Sequence, residues 1–265
     1  LEPDGDEAIL LSFPDELGEG LSDSFSDHDN LIAAAVAEWE QSIGVVGLDL
    51  PDNLVEQGAM ASMGYLLLSL DPDGPHPGPL AHDALWVRDA AYAGLALLQF
   101  GHAGAVRSTI DTILAAQEIN GRIPPILGDK APWDDEEWDS QGQAIFLATS
   151  YHRYTGELDT LLAWYPALRA SAGFISDLRD STSSSDGPIQ GLLPPSKSAE
   201  DLGSAEWHHY WDDFWALAGL QEAAYAAHEL GKLEDAAWMQ KEAKALSAAV
   251  ISSIEAVMGI DPVYI

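Results

Sequence analysis

The segment "EWDSQGQAIFLATSYHRYTGE", residues 137–157, carries a helix start, a helix body and a stop. Ser140 followed three residues later by Gln143 has the form of a capping box, in which the two side chains satisfy orphan backbone N–H groups at a helix start. The body, with "AIFLA" at its centre, is apolar nearly all round, which suits a helix buried on every side. Gly156 then supplies the left-handed conformation that ends helices. The spacing predicts a helix over 140–155 that closes in the short turn "YTGELD".

The same grammar recurs outward in both directions. Helical apolar spacing covers roughly 30–43, 52–70, 86–100, 103–119, 140–155, 158–178, 208–230 and 232–257, and only "EAILLSF" at 7–13 reads as strand. Short glycine turns ("SIGVVGLD", "FGHAGA", "YTGELD", "LGKLED") follow every odd helix. Long loops rich in proline and aromatic residues, at 71–85, 120–139 and 180–207, follow the even ones. The turn glycines Gly47, Gly101, Gly156 and Gly231 lie 54, 55 and 75 residues apart, which marks a repeat of helical hairpins. Hairpins with all short turns at one end gather the long loops at the other, where loops carry chemistry on a rigid scaffold. The expected architecture is all-α, a toroid of helical hairpins spanning 30–265 after an extended or linker segment at 1–29. Helices 86–100, 140–155 and 208–230 form its buried inner ring; 103–119 and 232–257, with Arg107, Asp111, Glu118, Lys241 and Lys244, belong to the outer one.

Bulk composition bounds the partners. With 47% hydrophobic residues, 265 residues suffice for a large core. Eleven Lys and Arg against 44 Asp and Glu leave a formal charge of −33. Phosphate backbones and anionic membranes are bound by Lys and Arg, so nucleic acid and membrane surfaces are excluded as partners. The acidic coat suits a secreted or salt-adapted protein, and a cytoplasmic setting stays equally open. The absence of Cys rules out disulfides and thiolate chemistry.

Three loop–helix junctions carry the candidate chemistry. "HDALWVRDAAY" (82–92) sets Trp86, Arg88 and Asp89 at a helix start. A planar guanidinium beside a carboxylate suits vicinal hydroxyls, and an indole face suits the C–H face of a sugar ring. The competing reading is an N-terminal cap with a packing tryptophan. In the second junction Asp134, Asp135, Glu136 and Glu137 read as a solvated charge run, whereas Trp133 and Trp138 read as exposed indoles with a partner. Asp139 and Gln141 beside the helix start are candidate substrate-binding groups.

The third junction, "YWDDFWALAGL" (210–220), places Asp212 and Asp213 between Trp211 and Trp215. A helix N-terminus lowers a carboxyl pKa, while burial against indoles and mutual repulsion raise it. Capping and acid catalysis therefore both remain open readings of this pair. Metal is not expected. His208 and His209 point to different helix faces, and "DPDG" at 71–74 fails as a calcium loop because Pro75 and His82 occupy ligand positions. No cofactor-binding loop is present.

Over roughly 80–230 these junctions, "WVRDAAYAGLALL", "EWDSQGQAIFLATSYHRYTGE" and "YWDDFWALAGLQEAAYAAHELG", resemble in order and placement the six-hairpin (α/α)6 glycosidases, closest to glucoamylase-like glycoside hydrolase family 15. The resemblance implies an exo-acting, inverting hydrolase of glucosidic bonds in oligo- or polysaccharides. Trp86, Arg88 and Asp89 match the family's sugar-holding Trp-x-Arg-Asp. Trp211, Asp212 and Asp213 stand where the family has Trp-Glu-Glu, which makes Asp212 the general acid and Asp213 its neighbour, each one methylene shorter than in the family. It also implies that only about four of six hairpins are present, with the base and the last hairpins to come from a missing C-terminal segment or a second chain. A related lyase or phosphorylase, and a non-catalytic carbohydrate-binding or scaffold protein of the same fold, are the alternatives. The acidic loop face disfavours the lyase and the phosphorylase.

Overall fold

The computed structural model describes residues 28–128, 136–197 and 207–259. The chain divides into two compact units, 1–49 and 50–265. The first contributes α1 (His28–Ile43); the segment 7–13 that reads as strand lies outside the described residues.

The second unit begins with α2 (Asn53–Leu68), capped by Asp52, whose side chain accepts from the Leu54 N–H at 2.9 Å. A tight antiparallel hairpin follows, β1 (Leu70–Asp71) with β2 (Gly74–Pro75). Three helical hairpins complete the unit: α3 (Val87–Gln99) with α4 (Ala103–Ala115), α5 (Asp139–Thr155) with α6 (Leu158–Thr182), and α7 (Tyr210–Glu229) with α8 (Leu233–Met258). Two further short strands, β3 (Leu85–Trp86) and β4 (Ile126–Leu127), pair antiparallel with Leu85 opposite Leu127. They tie the entrance of α3 to the loop ahead of α5.

Helix α5 lies between α3 and α7, and α4, α6 and α8 back these three from outside. That position explains its sequence: from Asp139 to His152 every residue except Phe146 is buried. Residues such as Ile145, Leu147 and Leu220 are wholly enclosed, so truncating any of them to Ala costs about 2–5 kcal/mol. Gly156 ends α5 in the left-handed region at φ 72°, where its N–H bonds the His152 carbonyl at 2.7 Å.

The inner helices approach unusually closely where they carry glycine. A Cβ built on Gly142 of α5 would lie 1.9 Å from the Trp215 carbonyl oxygen, and one on Gly219 of α7 would lie 2.6 Å from Gly142 Cα. Main chain therefore meets main chain at this crossing. Between α7 and α8 runs an open groove of about 580 Å³, lined by Ala224, Tyr225, Ala243, Ala248 and Ile251 among others.

The expected capping box at Ser140 and Gln143 does not form. Helix α5 starts one residue earlier, and no side chain caps it. Ser140 Oγ instead donates to the Ile123 carbonyl at 2.8 Å, and Gln143 Nε2 donates to Asp139 Oδ2 at 2.8 Å. The neighbouring 120s segment covers the start of α5, and its buried backbone takes the hydrogen-bonding capacity that a solvated helix start would use for caps.

Candidate functional site

The packing of α3, α5 and α7 brings their N-termini together. Arg88, the second residue of α3, donates from Nε to Asp139 Oδ2 at 2.8 Å and from Nη2 to Glu137 Oε2 at 2.6 Å. Asp139 is the first residue of α5. Its Oδ2 also accepts from Trp211 Nε1 in the first turn of α7 and from Gln143 one turn along α5, each at 2.8 Å. One carboxylate oxygen thus gathers three donors from three helices. The other, Oδ1, is buried with no hydrogen-bond partner among the described residues. Burial alone would lower the Arg88 pKa, but the charges and hydrogen bonds of Asp139 and Glu137 outweigh it and hold the guanidinium more firmly protonated than usual.

Asp212 and Asp213 follow Trp211 on α7 and are 2% and 1% exposed. Neither caps the helix: the residue ahead of α7 is His209, with no side-chain cap bond. Both carboxylates turn instead to the 192–197 segment. Asp213 Oδ1 accepts from the Leu193 N–H at 2.8 Å, and Asp212 Oδ2 accepts from Ser196 Oγ. That segment is stitched down further by Ser196 N–H to the Trp207 carbonyl at 3.1 Å and Lys197 N–H to the Glu136 carbonyl at 3.0 Å.

Burial decides the contest between helix dipole and desolvation. The Asp212 carboxyl is pushed up to about 8, chiefly by loss of solvent. The Ser196 bond opposes this, and the negative charges of Asp139, Asp213 and Glu137 add to it. Asp213 rises to about 6, again by burial, held back by the Leu193 N–H and the positive charge of Arg179. At neutral pH the pair therefore divides into a protonated Asp212 and an ionised Asp213, the kind of separation that distinguishes an acid from its neighbour.

An aromatic ridge crosses the same three helices. Trp215 stands edge-on to Tyr92 of α3, Phe146 of α5 and Trp211 of α7, with ring centroids 5.9, 5.7 and 6.2 Å away. Tyr92 and Trp211 are exposed. Tyr92 lies four residues beyond Arg88, and Trp215 four beyond Trp211, so each aromatic shares a helix face with a residue of the hydrogen-bonded cluster. Helical spacing alone could have identified both.

Several candidate residues take other places. Trp138 is 6% exposed, tilted against Phe174 in the core, with its Nε1 donating to the Pro195 carbonyl at 3.4 Å; it is not an exposed loop indole. Gln141 is wholly buried and grips the Ile123 main chain at both ends, accepting its N–H at 2.9 Å and donating to its carbonyl at 2.8 Å. Its role in the fold is that of a clamp. Trp86 is buried with Ala84 and Ile126, edge-on to His82. Asp89 lines a separate cavity of about 500 Å³ with Tyr65, Ser69 and His76, while Arg88 beside it faces the acidic pair. Trp133 lies outside the described residues.

Glu137, read from sequence as part of a solvated charge run, is 4% exposed and ion-paired. Ser196 was not singled out at all. A buried cluster of oriented acceptors, a neutral carboxylic acid and an adjoining aromatic ridge can hold a polyhydroxylated ring and give it a proton.

The fold is similar to that of a bacterial glucoamylase solved in complex with acarbose, with a TM-score of 0.60 and 19% sequence identity over 84% of this chain and 32% of that one. The chain spans about a third of that protein's length. The likeness establishes the fold as the glucoamylase-like, all-α toroid of helical hairpins. No protein-family model matches the chain, and no curated protein does.

Proposed function

We propose that the chain carries the acid side of a glycoside hydrolase, exo-acting and inverting, that cleaves glucosidic bonds of oligo- or polysaccharides. One observation carries the reading: Asp212, beside the Arg88–Asp139–Trp211 cluster, holds a carboxyl pushed up to about 8. A group that stays protonated at neutral pH is what protonation of a glycosidic oxygen requires. Asp212 gives its proton to the leaving oxygen as the bond to the anomeric carbon breaks, after Ser196 turns away to admit the substrate. Asp139, oriented by Arg88, and Asp213 accept hydrogen bonds from sugar hydroxyls, and Tyr92 and Trp211 offer ring faces. The bound acarbose of the bacterial glucoamylase is in keeping with a carbohydrate ligand here.

Inversion also needs a carboxylate about 6.5–9.5 Å from the acid to activate water. Glu137 and Asp139 are both committed to Arg88, which makes them poor bases. We assign the base to a carboxylate outside the described residues. A phosphorylase or lyase would need an uncommitted cation at this place, and Arg88 is already shared between two carboxylates.

The near-complete enclosure of Asp212 favours one second reading, a carbohydrate-binding protein of the same fold without turnover. Asp212→Asn separates the two. In a hydrolase it lowers turnover of natural glycosides by about 10²–10⁴-fold while sparing glycosyl fluorides, whose leaving group needs little protonation. Equal losses on both substrates make Asp212 a binding residue, and sugar binding without turnover by the unaltered protein leaves the binding reading standing.

A further inference from the structure

The β1–β2 hairpin holds a second cluster, outside the site just described. His76 Nδ1 lies 3.0 Å from Asp71 Oδ2 and 3.0 Å from Asp83 Oδ1, and His76 Nε2 lies 3.0 Å from Asp73 Oδ1. The imidazole is mostly enclosed, with 12% of its side chain exposed, and the His76 N–H is anchored on the Ser69 carbonyl at 2.8 Å. The spacing fails as an EF-hand loop, yet folding delivers three oxygens to one ring.

A neutral imidazole has one N–H and one lone pair. With Nε2–H donating to Asp73, the Nδ1 lone pair faces Asp71 and Asp83, a carboxylate–histidine arrangement that orients metal ligands. The alternative, an imidazolium, must split a single Nδ1–H between two oxygens. A divalent ion facing a neutral ring coordinates both oxygens directly.

We propose that Asp71, His76 and Asp83 bind a divalent cation of the zinc class, with Asp73 as the outer carboxylate that orients His76. The three ligand atoms lie within 4.8 Å of one another. Tetrahedral ligands at zinc distances are roughly 3.4 Å apart, so the observed 3.0 Å pairs need to open by only a few tenths of an ångström. One nitrogen and two carboxylates suit zinc better than calcium or magnesium, which prefer all-oxygen shells. Asp71 is exposed, which leaves a path for entry and room for water at the fourth position. Asp83 stands three residues ahead of Trp86, so the ion would fasten the hairpin to the strand that leads into α3.

Titration calorimetry of chelator-stripped protein with zinc, in about 0.15 M salt to screen the acidic surface, tests this. One saturable ion per chain is expected, lost in His76→Ala and Asp83→Asn and weakened about 10–100-fold in Asp73→Asn. Nitrogen-15 spectra of the unaltered protein give a readout that does not depend on any variant folding: zinc should shift His76 Nδ1 while Nε2 keeps its proton. Uptake that is unsaturable or survives His76→Ala is attraction to the surface and overturns the site. A ring protonated on both nitrogens and indifferent to zinc overturns it as well.

Discussion

Gly142 and Gly219 touch through their main chains: a Cβ on the second would fall 2.6 Å from the Cα of the first. This contact sets the separation of α5 and α7, and with it the reach of Trp211 to Asp139. Gly142→Ala would drive a methyl group into the Trp215 carbonyl, a backbone atom that cannot rotate away. Denaturant unfolding should show a loss of about 1–3 kcal/mol or more. Gly173→Ala in α6, where a Cβ meets nothing within 4 Å, is the control and should gain about 0.5–1 kcal/mol from helix propensity.

Arg88→Gln leaves Glu137 and Asp139 buried without their cation. Breaking a buried pair from one side costs about 3–5 kcal/mol, to be read as a lowered unfolding midpoint. Asp139→Asn acts differently, because it removes one of the negative charges that raise Asp212. The alkaline limb of the pH–rate profile, or of the Asp212 carboxyl titration followed by NMR, should move to lower pH. A limb that stays in place would detach Asp139 from the tuning of Asp212.

Stability should fall as pH rises. Unfolded carboxylates titrate near 4, whereas Asp212 and Asp213 in the folded chain titrate at about 8 and about 6. Between these values the native state holds protons that the unfolded chain has released. The stability linked to them is complete below about pH 4, declines by about two protons' worth of slope to pH 6, and by one from 6 to 8. Melting temperatures across pH 5–9 provide the check. Asp212→Asn should flatten the upper part of that decline relative to the unaltered protein, and an unchanged slope would mean that Asp212 does not titrate there.

Gln141→Ala should damage the fold before it damages any affinity. It strands the Ile123 N–H and weakens the hold on its carbonyl inside the protein, at a cost of about 1–3 kcal/mol. Faster amide exchange at Ile123 with ligand affinity little changed supports the clamp. Weaker sugar binding with normal exchange would restore Gln141 to the ligand.

The helices were legible because glycine and proline mark their ends. The predicted span 140–155 differs from α5 by one residue, and the turn at Gly156 falls where expected. Roles at the helix starts were less legible, since they depend on what covers each start. Ser140 and Gln141 look the same in sequence whether water or the Ile123 main chain faces them. Glu137 is indistinguishable from its acidic neighbours until Arg88, 49 residues away, closes on it. The opposing pushes on Asp212 could be named from sequence, but only the 192–197 segment lying over it shows that burial prevails.

Asp139 Oδ1 and Asp213 Oδ2 are acceptors enclosed by folding, with no partner among the described residues. Dehydration is a large part of what a polar ligand ordinarily spends in binding, and here the chain bears that cost before any ligand arrives. A hydroxyl docking on either oxygen gains a full hydrogen bond and relieves a strain of about 1–3 kcal/mol. Recognition at these two atoms would therefore register as a stiffening of the helix starts that carry them.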